Sequence, residues 1–217
     1  MRQLKIIILG QQGSGKGAYA QWLVDKYGYA HISTGDLLRE EIKKGSELGL
    51  KVRDIVNSGG LVSDELISKV LENRLKKEKK GFILDGYPRT IAQAKILEDL
   101  LSRLKTKIDL VINLVVSDEL SIERITNRRI CRECGWICNI KFMPPKKPGI
   151  CDKCGGELYQ REDDKEEIVK KRIEEYHKQI YPVIEDYKRK GLLHDINSNR
   201  NYEEVVKDIE ELLKRFT

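Results

Sequence analysis

The octapeptide Gly10-Gln11-Gln12-Gly13-Ser14-Gly15-Lys16-Gly17 constrains this chain more than any other stretch. An apolar run, Ile6-Ile7-Ile8-Leu9, precedes it, and a segment with helical periodicity (Tyr19, Trp22, Leu23, Lys26) follows. Strand, glycine loop and helix in that order are what a phosphate-binding loop requires. Glycines tolerate left-handed backbone, so successive N–H groups can turn inward around an anion. The helix starting near Gly15 adds the positive end of its dipole. Lys16 supplies a full charge for the β- and γ-phosphates of a nucleoside triphosphate. An ordinary glycine turn is the competing reading; a lysine in this place with both flanks right argues against it.

At 217 residues the chain can build one α/β domain with small insertions. Its 41 Lys and Arg against 35 Asp and Glu leave a net charge of +6, which suits anionic ligands but is too small and too evenly spread to argue for nucleic acid. No apolar run approaches the roughly 20 residues of a membrane span. The first residues lead straight into a strand without a separate targeting segment, which points to the cytoplasm. Five cysteines, odd in number and tightly spaced, fit metal ligation in a reducing compartment better than disulfides.

Strands are expected at 29–32, 81–85, 109–116 and 192–196 in addition to the first. Helices are expected at 36–44, 48–57, 63–77, 90–104, 118–129, 164–190 (with a kink at Pro182) and 202–216. The run 109–116 is apolar almost throughout, as in a strand buried on both faces. Strand alternating with helix argues for a parallel sheet with right-handed crossovers. The short helices between 33 and 62 have no strand among them and form an insertion. From Cys131 to about Leu158, cysteine, proline and glycine replace leucine and isoleucine, which marks a second insertion with its own means of stability.

Cys131-Arg132-Glu133-Cys134 and Cys151-Asp152-Lys153-Cys154 are two C-x2-C knuckles separated by sixteen residues. Each brings two thiolates from one tight turn to a single ion, and two knuckles complete the tetrahedron that Zn2+ prefers. Four thiolates leave no open position, so the site is expected to be structural and to supply the insertion's folding energy. A nucleic-acid-binding zinc ribbon is the rival, and the shortage of aromatic residues for base stacking speaks against it. Cys138, the fifth cysteine, reads as a packing residue.

Arg39, Arg89, Arg124, Arg128, Arg161 and Arg172 lie mostly at element ends, and in open α/β sheets ligands bind where strands end. Asp85 closes an apolar strand, the position of an acid that holds Mg2+ directly or through water. With these residues in view, five motifs occur in order: the glycine loop, Ser33-Thr34-Gly35-Asp36-Leu37-Leu38-Arg39, Asp85-Gly86-Tyr87-Pro88-Arg89-Thr90, the cysteine quartet, and Arg161-Glu162-Asp163-Asp164. Over essentially its whole length the chain resembles adenylate kinase in its long-lid form, with a zinc-binding lid.

The resemblance implies a P-loop nucleoside monophosphate kinase fold: a parallel five-stranded sheet flanked by helices, with a helical NMP-binding insertion and a small zinc-bearing lid. The core would comprise 1–32, 63–126 and 165–217, the NMP-binding part 33–62 and the lid 127–164. Gly13, Ser14, Gly15, Lys16, Gly17 and Ala18 would hold the ATP phosphates. Arg124 and Arg128 would assist, with Ile137, Cys138 and the backbone near Arg200 flanking the base. Thr34, Arg39, Gly60, Leu61, Val62, Gly86, Tyr87, Pro88, Arg89 and Gln93 would hold AMP. Arg161 and Arg172 would join them around the phosphates in transfer. Lys16, Asp85, Arg89, Arg124, Arg128, Arg161 and Arg172 form the implied catalytic set.

Two positions depart from the family pattern. Ala18 stands where Thr or Ser usually follows G-K-G, so a hydroxyl near the ATP phosphates is absent. Cys138 stands where the lid usually carries Tyr. The implied reaction is MgATP + AMP ⇌ 2 ADP, with ATP, AMP and ADP as the only partners, Mg2+ accompanying ATP, and no role for nucleic acid or membrane. No histidine or serine is placed for a covalent intermediate, and His31, His177 and His194 read as structural. UMP or CMP as acceptor, GTP as donor, and a zinc-ribbon nucleic-acid-binding ATPase are the alternatives. A monomer is expected, since no face beyond the core is apolar enough for a large interface.

Overall fold

The chain's first strand, β1 (Lys5–Leu9), shows how the molecule is layered. Ile6 and Ile8 face one side of the sheet, Ile7 and Leu9 the other, and all four are buried. A strand apolar on both faces belongs in the middle of a parallel sheet, and β1 is its central strand. The computed structural model describes residues 3–57, 62–78 and 80–216. After β1 come α1 (Lys16–Tyr27), β2 (Ala30–Ser33), α2 (Thr34–Lys44), α3 (Glu47–Asn57), α4 (Asp64–Leu75), β3 (Phe82–Asp85), α5 (Ile91–Arg103), β4 (Leu110–Val115) and α6 (Asp118–Thr126). Then follow β5 (Arg128–Cys131), β6 (Ile137–Asn139), β7 (Leu158–Tyr159), a 3-10 turn (Glu162–Asp164), α7 (Glu166–Arg189), β8 (Leu193–Asn197) and α8 (Tyr202–Lys214).

The sheet has five parallel strands in the order β2-β3-β1-β4-β8. On one face Ile6, Ile8, Ile83, Ile112 and Leu114 pack with Leu23 of α1 and Val205, Ile209 and Leu213 of α8. On the other, Ile7, Leu9, Leu84 and Val111 pack with Leu71 of α4, Leu97 of α5 and Ile180 and Val183 of α7. Burying each such side chain contributes about 1.5–3 kcal/mol. Helix starts follow local chemistry. The Thr90 hydroxyl accepts from Gln93 N to cap α5, and Asn201 and Glu204 form a reciprocal capping box on α8. Ser63 precedes α4 without a side-chain capping bond. Pro182 lies inside α7 without ending it.

One boundary differs from expectation. The helix expected over 118–129 stops at Thr126, and Arg128 lies on a strand. Asn127 ends the helix, its side-chain amide and its backbone N–H both donating to Glu123 O. Arg128 then pairs with Asn139 and Cys131 with Leu158, in an antiparallel sheet of order β6-β5-β7. This small sheet frames the cysteine-bearing insertion; its strands, four residues long at most, are too short for alternation to announce them.

Strand register positions the site. Ile8 and Ser33 both lie opposite Asp85, and Leu9 lies opposite Asn113. The glycine loop, Asp85 and Thr34 therefore leave the sheet at one shared edge, where the strands' C-terminal ends open toward a ligand.

Candidate functional site

The glycine loop between β1 and α1 is shaped by close approach. Gly13 has φ +80°, and a Cβ there would sit 2.7 Å from Ser121 O. Gly15 has φ +87°, with the Tyr19 ring directly beneath it. Lys16 Nζ donates to Gly10 O (2.5 Å) and Gln11 O (2.9 Å). Burial pushes the Lys16 ammonium down to about 8; Asp85 opposes the shift, while Arg89, Arg172 and Arg128 add to it. The buried Ser14 hydroxyl has no partner. An unpaired donor and a crowded cation in one loop are what an incoming anion satisfies. Asp85 stands beside the loop, its Oδ2 3.9 Å from where a Cβ on Gly17 would lie, and it contacts His31 Nε2 at 3.2 Å. A carboxylate adjoining the phosphate loop fits a hard cation that accompanies phosphates. His31 is thus a neighbour of the site as well as a structural residue. Ala18 is exposed on the first turn of α1.

The arginines divide into four groups. Arg89 donates from Nε to Gly86 O (2.9 Å) and pairs with no carboxylate among the described residues. Burial first, then Arg172, push it down to about 10. Arg128 and Arg172 are held by the two acids of the 3-10 turn. Arg128 grips Asp164 with two bonds, Nε at 3.0 Å and Nη2 at 2.5 Å, while Arg172 Nη1 meets Asp163 Oδ2 at 2.6 Å. Arg161, also at about 10 through burial and its neighbours Arg39 and Arg128, has a buried, unpartnered Nε. Its Nη2 lies 3.6 Å from Asp36 Oδ1, which also takes Arg39 Nη2 at 2.6 Å. Arg124 stands apart, its guanidinium donating to the carbonyls of Gly13, Ser198 and Arg200.

Of the residues expected to face a monophosphate, Thr34, Gly86 and Arg89 lie along the same edge. Thr34 Oγ1 donates to Gly86 O at 3.1 Å. Tyr87 is fully buried in the core, its hydroxyl donating to Gln93 O, and Pro88 and Val62 are buried as well. The Gln93 amide accepts from Arg89 N (2.7 Å) and donates to Asp64 Oδ1 (2.7 Å), which leaves one N–H and one lone pair uncommitted. Gly60 and Leu61 lie outside the described residues. At the other end Ile137 is exposed and Cys138 is buried beside Cys131 and Cys151, as a packing residue should be. The Arg200 carbonyl faces Arg124, and its side chain pairs with Asp208.

Sequence reasoning assigned no role to Asp36, Asp163 and Asp164, although each sits inside a quoted motif. Their signal was an acid set among arginines. Gln11 and Gln12 also went unassigned; no short-range pattern points to their partners.

The sulfurs of Cys131, Cys134, Cys151 and Cys154 all lie within 4.8 Å of one another. Cys131 and Cys154 are 3.4 Å apart, Cys134 and Cys151 3.6 Å. A tetrahedron with metal–sulfur bonds of about 2.3 Å has edges of about 3.8 Å, so the four donors fit a thiophilic ion. The Cys134 amide draws the Cys131 thiol down to about 7. The Gly156 amide draws Cys154 down, but its bonds with Cys131, Cys134 and Cys151, together with burial, outweigh this and push it up to about 12. Four thiols this close cannot all ionise without a cation among them.

A triphosphate loop, an arginine ring and a four-cysteine insertion together are more specific than any one alone, and comparison with known proteins agrees. The family model described as adenylate kinase matches residues 8–192. The adenylate kinase of Caldicellulosiruptor saccharolyticus is 51% identical, with 97% of this chain and 98% of that protein covered. That of Archaeoglobus fulgidus is 47% identical over 98% and 99%, and that of a Geobacillus species 47% over 97% and 98%. With matches of that depth along nearly its full length, the chain belongs to the adenylate kinase family.

Proposed function

We propose that the chain transfers the terminal phosphoryl group of MgATP to AMP, reversibly, giving two ADP. The observation that carries this reading is the meeting of buried Lys16 and Arg89 beside Asp85, with Arg172 near enough to lower the proton affinity of both and Arg128 near enough to lower that of Lys16. Phosphoryl transfer is limited by positioning and charge, and needs no protein nucleophile. The loop amides of Gly13, Ser14, Gly15, Gly17 and Ala18, with Lys16, hold the donor phosphates. Arg124 builds the floor beneath them by tying Gly13 to the 198–200 carbonyls, near which Ile137, Cys138 and Arg200 flank the base. Arg39 and Arg89 clamp the acceptor phosphate as planar forks, a geometry lysine does not reproduce, while Thr34, Val62, the 86–88 turn and Gln93 shape the acceptor's pocket. Arg128, Arg161 and Arg172 gather on the equatorial oxygens. The attacking oxygen of AMP is already ionised, so direct in-line displacement follows without a general base.

Asp85 is the residue that would hold Mg2+, which when bound neutralises charge on the donor phosphates. The four cysteines would hold Zn2+ as a closed structural site. Residues 33–62 act as the NMP-binding part and 127–164 as a lid on a core of 1–32, 63–126 and 165–217. Lid closure excludes water from ATP. We further propose a monomer acting in the cytoplasm without nucleic acid or membrane; no helix among the described residues is long and apolar enough to cross a membrane.

A coupled assay with MgATP and each of AMP, UMP, CMP and GMP tests the reading. Rapid ADP formation with AMP alone is expected. Preference for UMP or CMP, or ATP turnover dependent on DNA or RNA and indifferent to monophosphates, would overturn it.

A further inference from the structure

Both glutamines after Gly10 are engaged far from their own place in the sequence. Gln11, almost fully buried, donates to Val116 O (3.2 Å) and to Asp118 Oδ1 (3.1 Å), and that same oxygen meets His177 Nε2 of α7 at 3.0 Å. Gln12 donates from Nε2 straight to the carbonyl of Val169 on α7, at 2.9 Å, while its own carbonyl is taken by the Ser121 hydroxyl of α6. Between Val169 and His177 lie Arg172 and Tyr176, and Tyr176 stands against the Gly10 amide. Residues 169, 172 and 176 are spaced by three and four, so they share one helix face. The face of α7 that presents Arg172 is therefore seated on the phosphate loop. The helix itself starts just past the 3-10 turn whose Asp163 and Asp164 grip Arg172 and Arg128.

We propose that Gln12 is a positioning residue for phosphoryl transfer: its bond to Val169 sets the first turn of α7, and with it Arg172, against the donor phosphates held by the same loop. The loop's own backbone does not depend on this amide, because Ser121 and Arg124 fix the Gln12 and Gly13 carbonyls. Donor binding and transfer should thus separate. The inference rests on the transfer role proposed above for Arg172.

Gln12→Met keeps the side chain's length and removes the donor. Its kcat should fall about three- to tenfold, the rate equivalent of one neutral hydrogen bond, with KM for ATP within about twofold of the parent. In an Arg172→Lys background the same substitution should cost no further activity, because Gln12 acts through that arginine. An unchanged kcat, a parallel rise in KM for ATP, or equal losses in both backgrounds would overturn the proposal. So would a lowered melting temperature with unaltered kinetics. Arg172→Lys alone separates the two readings. Full activity there removes the role given to Arg172, whereas an impaired Arg172→Lys beside an unimpaired Gln12→Met removes only the role given to Gln12.

Discussion

The parallel-sheet core and the cysteine insertion solve the same problem in opposite ways. In the core, isoleucine, leucine and valine fill both faces of the sheet. In the insertion, the buried cluster is Cys131, Cys138, Cys151 and Leu158, with Trp136 against it. Ile130 is buried on β5, but most of the larger apolar side chains there, Ile137, Ile140, Phe142, Met143 and Ile150, are outside. A segment of this size cannot enclose enough apolar surface to offset its chain entropy. Its interior is a set of four thiols that could hold a metal ion instead of a hydrophobic core, so on the proposed reading its stability is tied to that ion while the core's is tied to packing.

The strongest way to break this contrast is to remove the metal. Structural zinc in small domains contributes apparent binding free energies of about 10–16 kcal/mol. Chelation or Cys151→Ser should therefore abolish hydrogen-exchange protection across 128–159 while amides of the central strands stay protected. Activity should fall in step with that protection, because Arg128 lies in the insertion. Loss of core protection at the same moment would show that the two parts are one cooperative unit; instant loss of activity with an intact fold would make the metal catalytic.

Ile8→Ala is the counterpart in the core. A fully buried isoleucine cut to alanine costs about 2–5 kcal/mol. Denaturant titration should show that loss in the main transition, with the insertion's metal affinity unchanged.

Lys16 marks where the core tolerates charge because a ligand is coming. Its folded value of about 8 lies below the ordinary 10.5. Between those values the unfolded chain holds a proton that the folded one lacks, so stability rises with pH across the window. Nucleotide-free protein should gain stability from pH 8 to 10.5 relative to Lys16→Met, and lose that advantage when ATP is bound. Calorimetry near pH 8.5 in buffers of different ionisation enthalpy should find proton uptake on ATP binding. Proton release would reverse the assignment.

The smallest effect is expected at Phe142. It is half-exposed, and Phe142→Ser should change stability by no more than about 0.5 kcal/mol. A loss as large as that of Ile8→Ala would mean that the insertion owns a hydrophobic core after all.

What could be read beforehand follows from distance along the chain. The glycine loop, the cysteine knuckles and the apolar run of β4 are local patterns, and local patterns reveal strands, turns and ligand spacing. The partners that finish the site are remote. Asp164 meets Arg128 thirty-six residues away, Gln93 is satisfied by Asp64, and Gln12 reaches across 157 residues to Val169. Hydrogen bonds of this kind leave no periodic trace. The end of α6 was missed for a similar reason: Arg128 and Arg129 have ordinary helix propensity, and only pairing with β6 draws them into a strand.

Asp36 gives the arginine ring a property that counting charges hides. Its side chain is half-exposed, and against the cost of partial desolvation Arg39 and Arg161 hold its carboxyl below the usual range. It acts as a resident anion. On the roles proposed for Arg39 and Arg161, an arriving phosphate makes these two guanidinium groups trade one anion for another, and when product leaves they return to a partner already in place. Turnover becomes an exchange between tenants, so the cycle avoids a state in which both cations face each other with nothing between them.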